Sequence, residues 1–369
     1  MTKLQKAFCV FLSLGFLLVL AFLPEPFFWW KNIYRTLPVD VYLERNMEQE
    51  NRIEQENLAE EENEEYEQKL SDMKTSESKA SEPDVSQTEN EALQPQPSPV
   101  KEASAPVLPH PLIDLSAEAL ADFNYLLKEF YIVDSATETN PEQLNAQRFL
   151  AEDFTVDKNT DGPQILIYHS HSQEGFADSR EGEEEDTVVG VGNTLSQILE
   201  DTYGYRVLHV KEAFDLMGGE MDRSKAYDYA REYLEPVLAG NPSIQVVIDL
   251  HRDGVEEGRR LVTEINGKPT AQIMFYNGLS YTINQGTVEY LPNPYIEENL
   301  AFSFQLEYEA AKYYPDFYRG IYLAGLRYNL HLCPCSLLLE AGAQTNTVEE
   351  VKNAMVPFAD ILNRVISTE

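Results

Sequence analysis

His169, His171 and Glu174 fall within one short segment, directly after the apolar run from Ile165 to Tyr168. Imidazole nitrogens and a carboxylate oxygen are the donors that hold a borderline-soft divalent metal. A short apolar run bounded by Pro163 and polar residues reads as a buried strand, which places the three donors on the loop that follows it. Two other segments have the same form. The run from Ile244 to Leu250 leads into His251-Arg252-Asp253, and the run from Ser336 to Leu339 leads into Glu340-Ala341-Gly342. In an open α/β sheet, ligands bind in the crevice outside the carboxyl ends of the strands. If these three strands are neighbours, they point His169, Glu174, His251 and Glu340 at one locus.

Two imidazoles and one carboxylate leave a fourth position of tetrahedral zinc open, as hydrolytic sites require. A second carboxylate outside the metal set could take a proton from water and pass it to a leaving amine, and Glu340 is the candidate. Arg252 could hold a substrate carboxylate in a bidentate contact. Asp253 could orient a histidine through its second ring nitrogen. His171 stays open between ligand, substrate contact and a supporting position behind the ligands. His209 lies on a strand outside the grouped ends and reads as structural, and no Gly-x-Ser-x-Gly elbow supports a serine hydrolase.

The elements that must position these residues alternate. Helical spacing runs over 116–130, 141–150, 188–203, 222–238, 296–314 and 348–366. Strand patterns occupy 131–133, 164–168, 205–210, 244–250, 320–326 and 336–339, and Asn266-Gly267 predicts a hairpin pairing 258–263 with 271–276. Strands alternating with helices predict an α/β domain over residues 108–369: a mostly parallel twisted sheet with helices on both faces.

Ahead of it lie a short N-terminus (1–6), an uncharged apolar stretch (7–23) and a linker (24–107) that is acidic and then Pro-rich. The apolar stretch would cover roughly 26 Å as a helix, just short of a hydrocarbon core. Pro24 and Pro26 end it, Phe27 to Trp30 suit a lipid–water boundary, and no small-residue cleavage site follows. The expectation is a single-pass anchor in the cell membrane, with residues 1–6 cytoplasmic and the domain outside. The linker carries too little apolar surface to offset its chain entropy and should be a disordered, self-repelling tether.

Composition narrows the function further. With 369 residues and a net charge of −35, the chain lacks the basic patches that nucleic acid demands. Cys9 falls in the apolar stretch, and Cys333 and Cys335 are too close in sequence for an unstrained bridge, so both read as buried core thiols or free ones.

From Gly162 to Met355 the chain resembles the stage II sporulation protein P family of spore-forming Gram-positive bacteria. The matching pieces are Pro163 to Glu174, Val191-Gly192, Ile248 to Asp253, Gly267-Lys268 with Ala271 to Met274, Tyr328-Asn329, Leu338 to Gly342, and Asn346 to Glu350. The resemblance implies a zinc-dependent N-acetylmuramoyl-L-alanine amidase on peptidoglycan, with some members also cutting peptide cross-links. It implies His169, Glu174 and His251 as zinc ligands and Glu340 as the catalytic carboxylate; His171, Arg252, Asp253 and Asn329 are read as positions behind the ligands or on the substrate. It also implies a role in engulfment, with stage II sporulation proteins D and M as partners. The chain departs from the pattern at Ser170, Ser172, Gly175, Tyr328 to Leu332 and the acidic insert Glu181 to Asp186, which bears on substrate contacts more than on the metal site. A wall-facing scaffold that binds glycan without turnover is the alternative.

Overall fold

A computed structural model describes residues 107–217 and 219–368. The expected anchor at 7–23 and almost all of the linker lie outside the described residues. Among the described residues, no helix is long and apolar enough to cross a membrane.

In chain order the elements are α1 (Ala117–Leu120), α2 (Phe123–Phe130), β1 (Tyr131–Val133), α3 (Ala146–Phe149), β2 (Ile165–Tyr168), α4 (Val188–Asp201) and β3 (Val207–His209). There follow α5 (Arg223–Gly240), β4 (Val246–Asp253), β5 (Val262–Ile265), β6 (Lys268–Ala271), β7 (Ile273–Gly278), β8 (Tyr281–Thr282) and β9 (Gly286–Thr287). The chain ends with α6 (Ile296–Tyr313), β10 (Tyr318–Ala324), β11 (Cys335–Ala343) and α7 (Val348–Ile366). The single helix expected over 116–130 is broken, because the Asp122 carboxylate accepts from the Tyr125 amide and caps a new start. The helix expected over 141–150 is only the turn Ala146–Phe149, capped by Asn145.

The central sheet has the order β1-β10-β7-β11-β4-β2-β3. Its strands form two parallel blocks, β1-β10-β7 and β11-β4-β2-β3, that meet antiparallel at β7 and β11. The sheet is thus mostly parallel, as the alternation implied. The hairpin forms around Asn266 and Gly267, both at positive φ, but β5 pairs with Lys268–Ala271. Residues 273–278 instead form β7 in the middle of the main sheet.

Side chains alternate across a strand, so each face can be read from the register. Ile165, Ile167, Val246, Ile248, Leu250, Leu337, Leu339 and Phe275 lie in the larger apolar core, with residues of α4, α6 and α7. On the opposite face, Leu166, Tyr168 and Val247 pack with Ala226, Ala230 and Leu234 of α5. Helices therefore flank both faces, but α5 shields only the β2–β4 part of its own.

One buried carboxylate lies within this frame. Glu307 of α6 is 0% exposed. Burial holds its carboxyl well above the usual range, opposed by the Gly320 backbone amide. A carboxyl whose folded pKa is raised keeps its proton where the unfolded chain, with a pKa of about 4.3, has lost it. Stability must then fall, by up to about 1.4 kcal/mol per pH unit, as pH rises above that value towards the folded pKa. The melting temperature of Glu307→Gln should therefore exceed that of the parent by more at pH 7 than at pH 5. A difference independent of pH would contradict a protonated Glu307.

Candidate active site

Strands β11, β4 and β2 are adjacent and parallel, so the three carboxyl ends do converge. His251 and Glu340 are register partners across β4 and β11. The loop after β2 carries His171 and Glu174 over them. Its far side is tied down where Gly175 bridges Thr187 and the Val188 amide donates to the Glu174 carbonyl oxygen, at the start of α4.

The Glu174 carboxylate sits between two imidazoles. Its Oε1 is 3.5 Å from His171 Nδ1, and its Oε2 is 3.5 Å from His251 Nδ1. The two rings meet edge-on with centroids 5.0 Å apart. One donor atom from each of His171, Glu174 and His251 lies within 4.8 Å of the others, the spacing of a metal cup. The backbone N–H of Arg252 donates to Glu174 Oε2 at 3.0 Å and fixes that oxygen. Burial works against the charge on Glu174, but the two histidines outweigh it and hold the carboxyl well below its usual range.

His169, implied by the resemblance as a ligand, lies outside this group. Its Nδ1 is 2.7 Å from the Leu250 carbonyl oxygen and its Nε2 is 2.9 Å from Nε2 of His209. A carbonyl only accepts, so Nδ1 carries the proton and Nε2 receives the N–H of His209. Both nitrogens are engaged. Burial lowers the pKa of His169 to about 4 and that of His209 to about 3, so the pair is neutral. Gly192 of α4 makes room for it, since a Cβ there would come 2.8 Å from His169 Nε2 and 2.7 Å from His209 Nε2. His169 continues the Ile165–Ile167 face of β2, towards α4, whereas His251 lies in line with Val247 on the other face of the sheet. His171, one further alternation along and already on the loop, takes the place in the cup.

The orienting carboxylate is Asp249, which sequence reasoning missed. It is 1% exposed, and its Oδ1 lies 2.9 Å from His251 Nε2. The Ser170 hydroxyl donates to Asp249 Oδ2 at 2.7 Å, and the Ser170 amide to Oδ1 at 2.9 Å. A carboxylate on Nε2 fixes the tautomer and turns Nδ1 of His251 towards Glu174. Burial opposes charge on His251, but Asp249 and Glu174 hold its pKa well above the ordinary value. The signal available was a carboxylate inside an apolar strand, two residues and hence one face-repeat before His251. Asp215, 0% exposed, was also missed; it accepts from the Ser172 hydroxyl at 2.7 Å and the Gln173 amide at 3.1 Å, pinning the loop from below.

The other expected positions are close by in different roles. Asp253 pairs with Arg319 at 2.7 Å and, among the described residues, has no ion pair with a histidine. Arg252 donates through Nε to the Gly175 carbonyl oxygen at 2.8 Å, clamping the loop. Asn329, buried at φ 56°, donates to the Tyr227 carbonyl oxygen at 2.7 Å. Glu340 faces the cup without belonging to it. Its Oε2 is closed off from solvent and, among the described residues, has no hydrogen-bond partner. Burial raises its pKa to about 8, with His251 opposing and Glu174 and Asp253 adding to the shift. The insert is an ordered excursion, with the Arg180 guanidinium on the Asp186 carboxylate at 2.6 and 3.0 Å.

The family model for Stage II sporulation protein P (SpoIIP) matches residues 31–363. The chain belongs to this family. Stage II sporulation protein P of Bacillus subtilis (strain 168) is 26% identical over 252 residues, which cover 63% of this chain and 60% of the relative. The chain thus aligns with less than two thirds of that family member's length. Among solved structures, the CwlD amidase of Clostridioides difficile in complex with the GerS lipoprotein matches with TM-score 0.34 and 11% identity, over 55% of this chain and 98% of that one. The catalytic domain of CwlV, an N-acetylmuramoyl-L-alanine amidase from Bacillus (Paenibacillus) polymyxa var. colistinus, matches with TM-score 0.32 and 14% identity, over 55% and 97%. Likenesses this distant carry no weight for the chemistry, which stands on the SpoIIP membership and the site itself.

Proposed function

We propose that the chain is a zinc-dependent peptidoglycan amidase that hydrolyses the bond between N-acetylmuramic acid and the L-alanine of the stem peptide. The observation that carries this reading is the cup of His171, Glu174 and His251 beside an unpartnered Glu340 oxygen. The donor set fits zinc: two imidazoles and a carboxylate, with His171 Nε2 buried and without a hydrogen-bond partner among the described residues. Zinc held there supplies Lewis acidity towards a carbonyl oxygen and towards water.

The chain's own groups do the rest. In its ionised form, Glu340 takes a proton from the attacking water and delivers it to the departing alanine nitrogen. Asp249 keeps Nε2 of His251 protonated, so Nδ1 is the nitrogen that gives up its proton when the cup is filled. Arg252 fixes Glu174 through its amide and Gly175 through its guanidinium.

Family membership supports action in sporulation. An anchor at residues 7–23 with the linker behind it would hold the domain at the outer face of the cell membrane, within reach of wall and of stage II sporulation proteins D and M. The full chain with zinc, incubated with purified peptidoglycan, should release stem peptides with a free N-terminal alanine, seen by mass spectrometry. A chelator should stop the release and zinc restore it. Products cut only at cross-links, with muramic acid still attached, would replace the amidase reading by an endopeptidase.

A further inference from the structure

Beside the cup lies the part of the sheet face that α5 does not cover. Tyr276 of β7 is in register with Leu338 of β11, which is in register with Asp249 of β4. Tyr322 of β10 is in turn the partner of Tyr276. Alternation therefore puts Tyr276 and Tyr322 on the same face as His251 and Glu340. Two more tyrosines link them to the cup. Tyr227 of α5 lies 6.4 Å from His251, ring to ring and near-parallel at 12°. Tyr328 meets Tyr227 at 5.7 Å and Tyr276 at 5.9 Å, both edge-on. Tyr276 and Tyr322 stack at 4.6 Å and 23°. The four rings form one contact chain leading from a cup histidine out across the sheet, and all four are partly exposed. Tyr328 holds its place with φ 50°, in the left-handed region where a bulky residue is an outlier and strain marks a functional site.

The row itself carries no charge and the acids beside it are largely neutralised. Burial holds Glu340 towards its neutral form, Asp253 is paired with Arg319, and Asp134 accepts from the Tyr322 hydroxyl at the far end. The Arg252 guanidinium is held on the Gly175 carbonyl oxygen. A stem peptide brings carboxylates of its own, for which four uncharged phenols offer no counter-charge. An N-acetylated sugar is neutral, offers C–H faces to aromatic rings, and brings hydroxyls for phenol and carboxylate groups.

We propose that the Tyr227–Tyr328–Tyr276–Tyr322 row is a subsite for the neutral glycan strand, with the stem peptide leaving the cup on another side. This rests on peptidoglycan being the substrate, but it is read by binding and needs no turnover. The full chain carrying Glu340→Gln is titrated calorimetrically with a peptide-free tetramer of N-acetylglucosamine and, separately, with a glycan-free stem tetrapeptide. The tetramer should bind, and adding Tyr322→Leu should weaken it roughly tenfold, the worth of one aromatic contact of about 1.4 kcal/mol. Tyr322→Phe, which keeps the ring, should stay within about threefold of the parent and controls for folding. No tetramer binding, equal binding by the Leu variant, or loss of tetrapeptide binding instead would each overturn the subsite. Loss of the amidase reading would show separately, as wild-type chain with zinc that releases no stem peptide.

Discussion

Glu340→Gln should lower the turnover number of stem-peptide release by about 10²–10⁴-fold, the usual worth of a positioned general base, while leaving zinc content unchanged. The carboxyl faces the cup from the register partner of His251, yet contributes nothing to the donor group. Among the described residues its Oε2 has neither solvent nor a hydrogen-bond partner, an arrangement that costs stability and is characteristic of functional sites. Glutamine has the same shape and removes a carboxyl that burial, Glu174 and Asp253 all disfavour as a charge. The variant should therefore melt at or slightly above the temperature of the parent. Unchanged turnover would remove Glu340 from the mechanism; lost zinc would make it a ligand.

The convergence of three strand ends was legible because each site strand is an apolar run that stops abruptly at a histidine or glutamate. Ile248 and Leu250 before His251, and Leu337 to Leu339 before Glu340, leave no other place for the polar residue than the crevice. Register was not legible, and register decides which face a side chain takes. His169 and His251 both end apolar strands, but only pairing Tyr168 with Asp249 reveals that they look to opposite faces. The same gap hid Asp249, whose meaning depends on lying beneath His251. β7 was misplaced for a local reason. Asn266-Gly267 is a strong turn signal, and it drew the whole stretch 271–276 into a hairpin that in fact ends at Ala271. Inserting β7 between β10 and β11 reverses the direction of half the sheet, and no short-range pattern encodes that.

Substituting the two histidines of the opening loop separately should give opposite results. His171→Ala removes one of three protein donors from the cup. A four-ligand zinc site is worth about 10–16 kcal/mol, so one donor accounts for about 2.5–4 kcal/mol, and affinity should fall roughly 10²–10³-fold. The residue is only partly buried and its Nε2 has no hydrogen-bond partner among the described residues, so the fold should lose little. His169→Ala breaks the contact to the Leu250 carbonyl and strands the N–H of His209 beneath Gly192. Vacating a fully buried ring and orphaning two polar groups should cost about 2–4 kcal/mol of stability. Zinc affinity of the folded fraction should change less than tenfold, because no cup donor is lost. Chelator competition and thermal melts on both variants separate the readings. A His169→Ala protein that stays folded but cannot hold zinc, beside a His171→Ala protein that still can, would return His169 to the ligand set that the family resemblance implies. The face alternation of β2 and the committed nitrogens of His169 favour the other outcome.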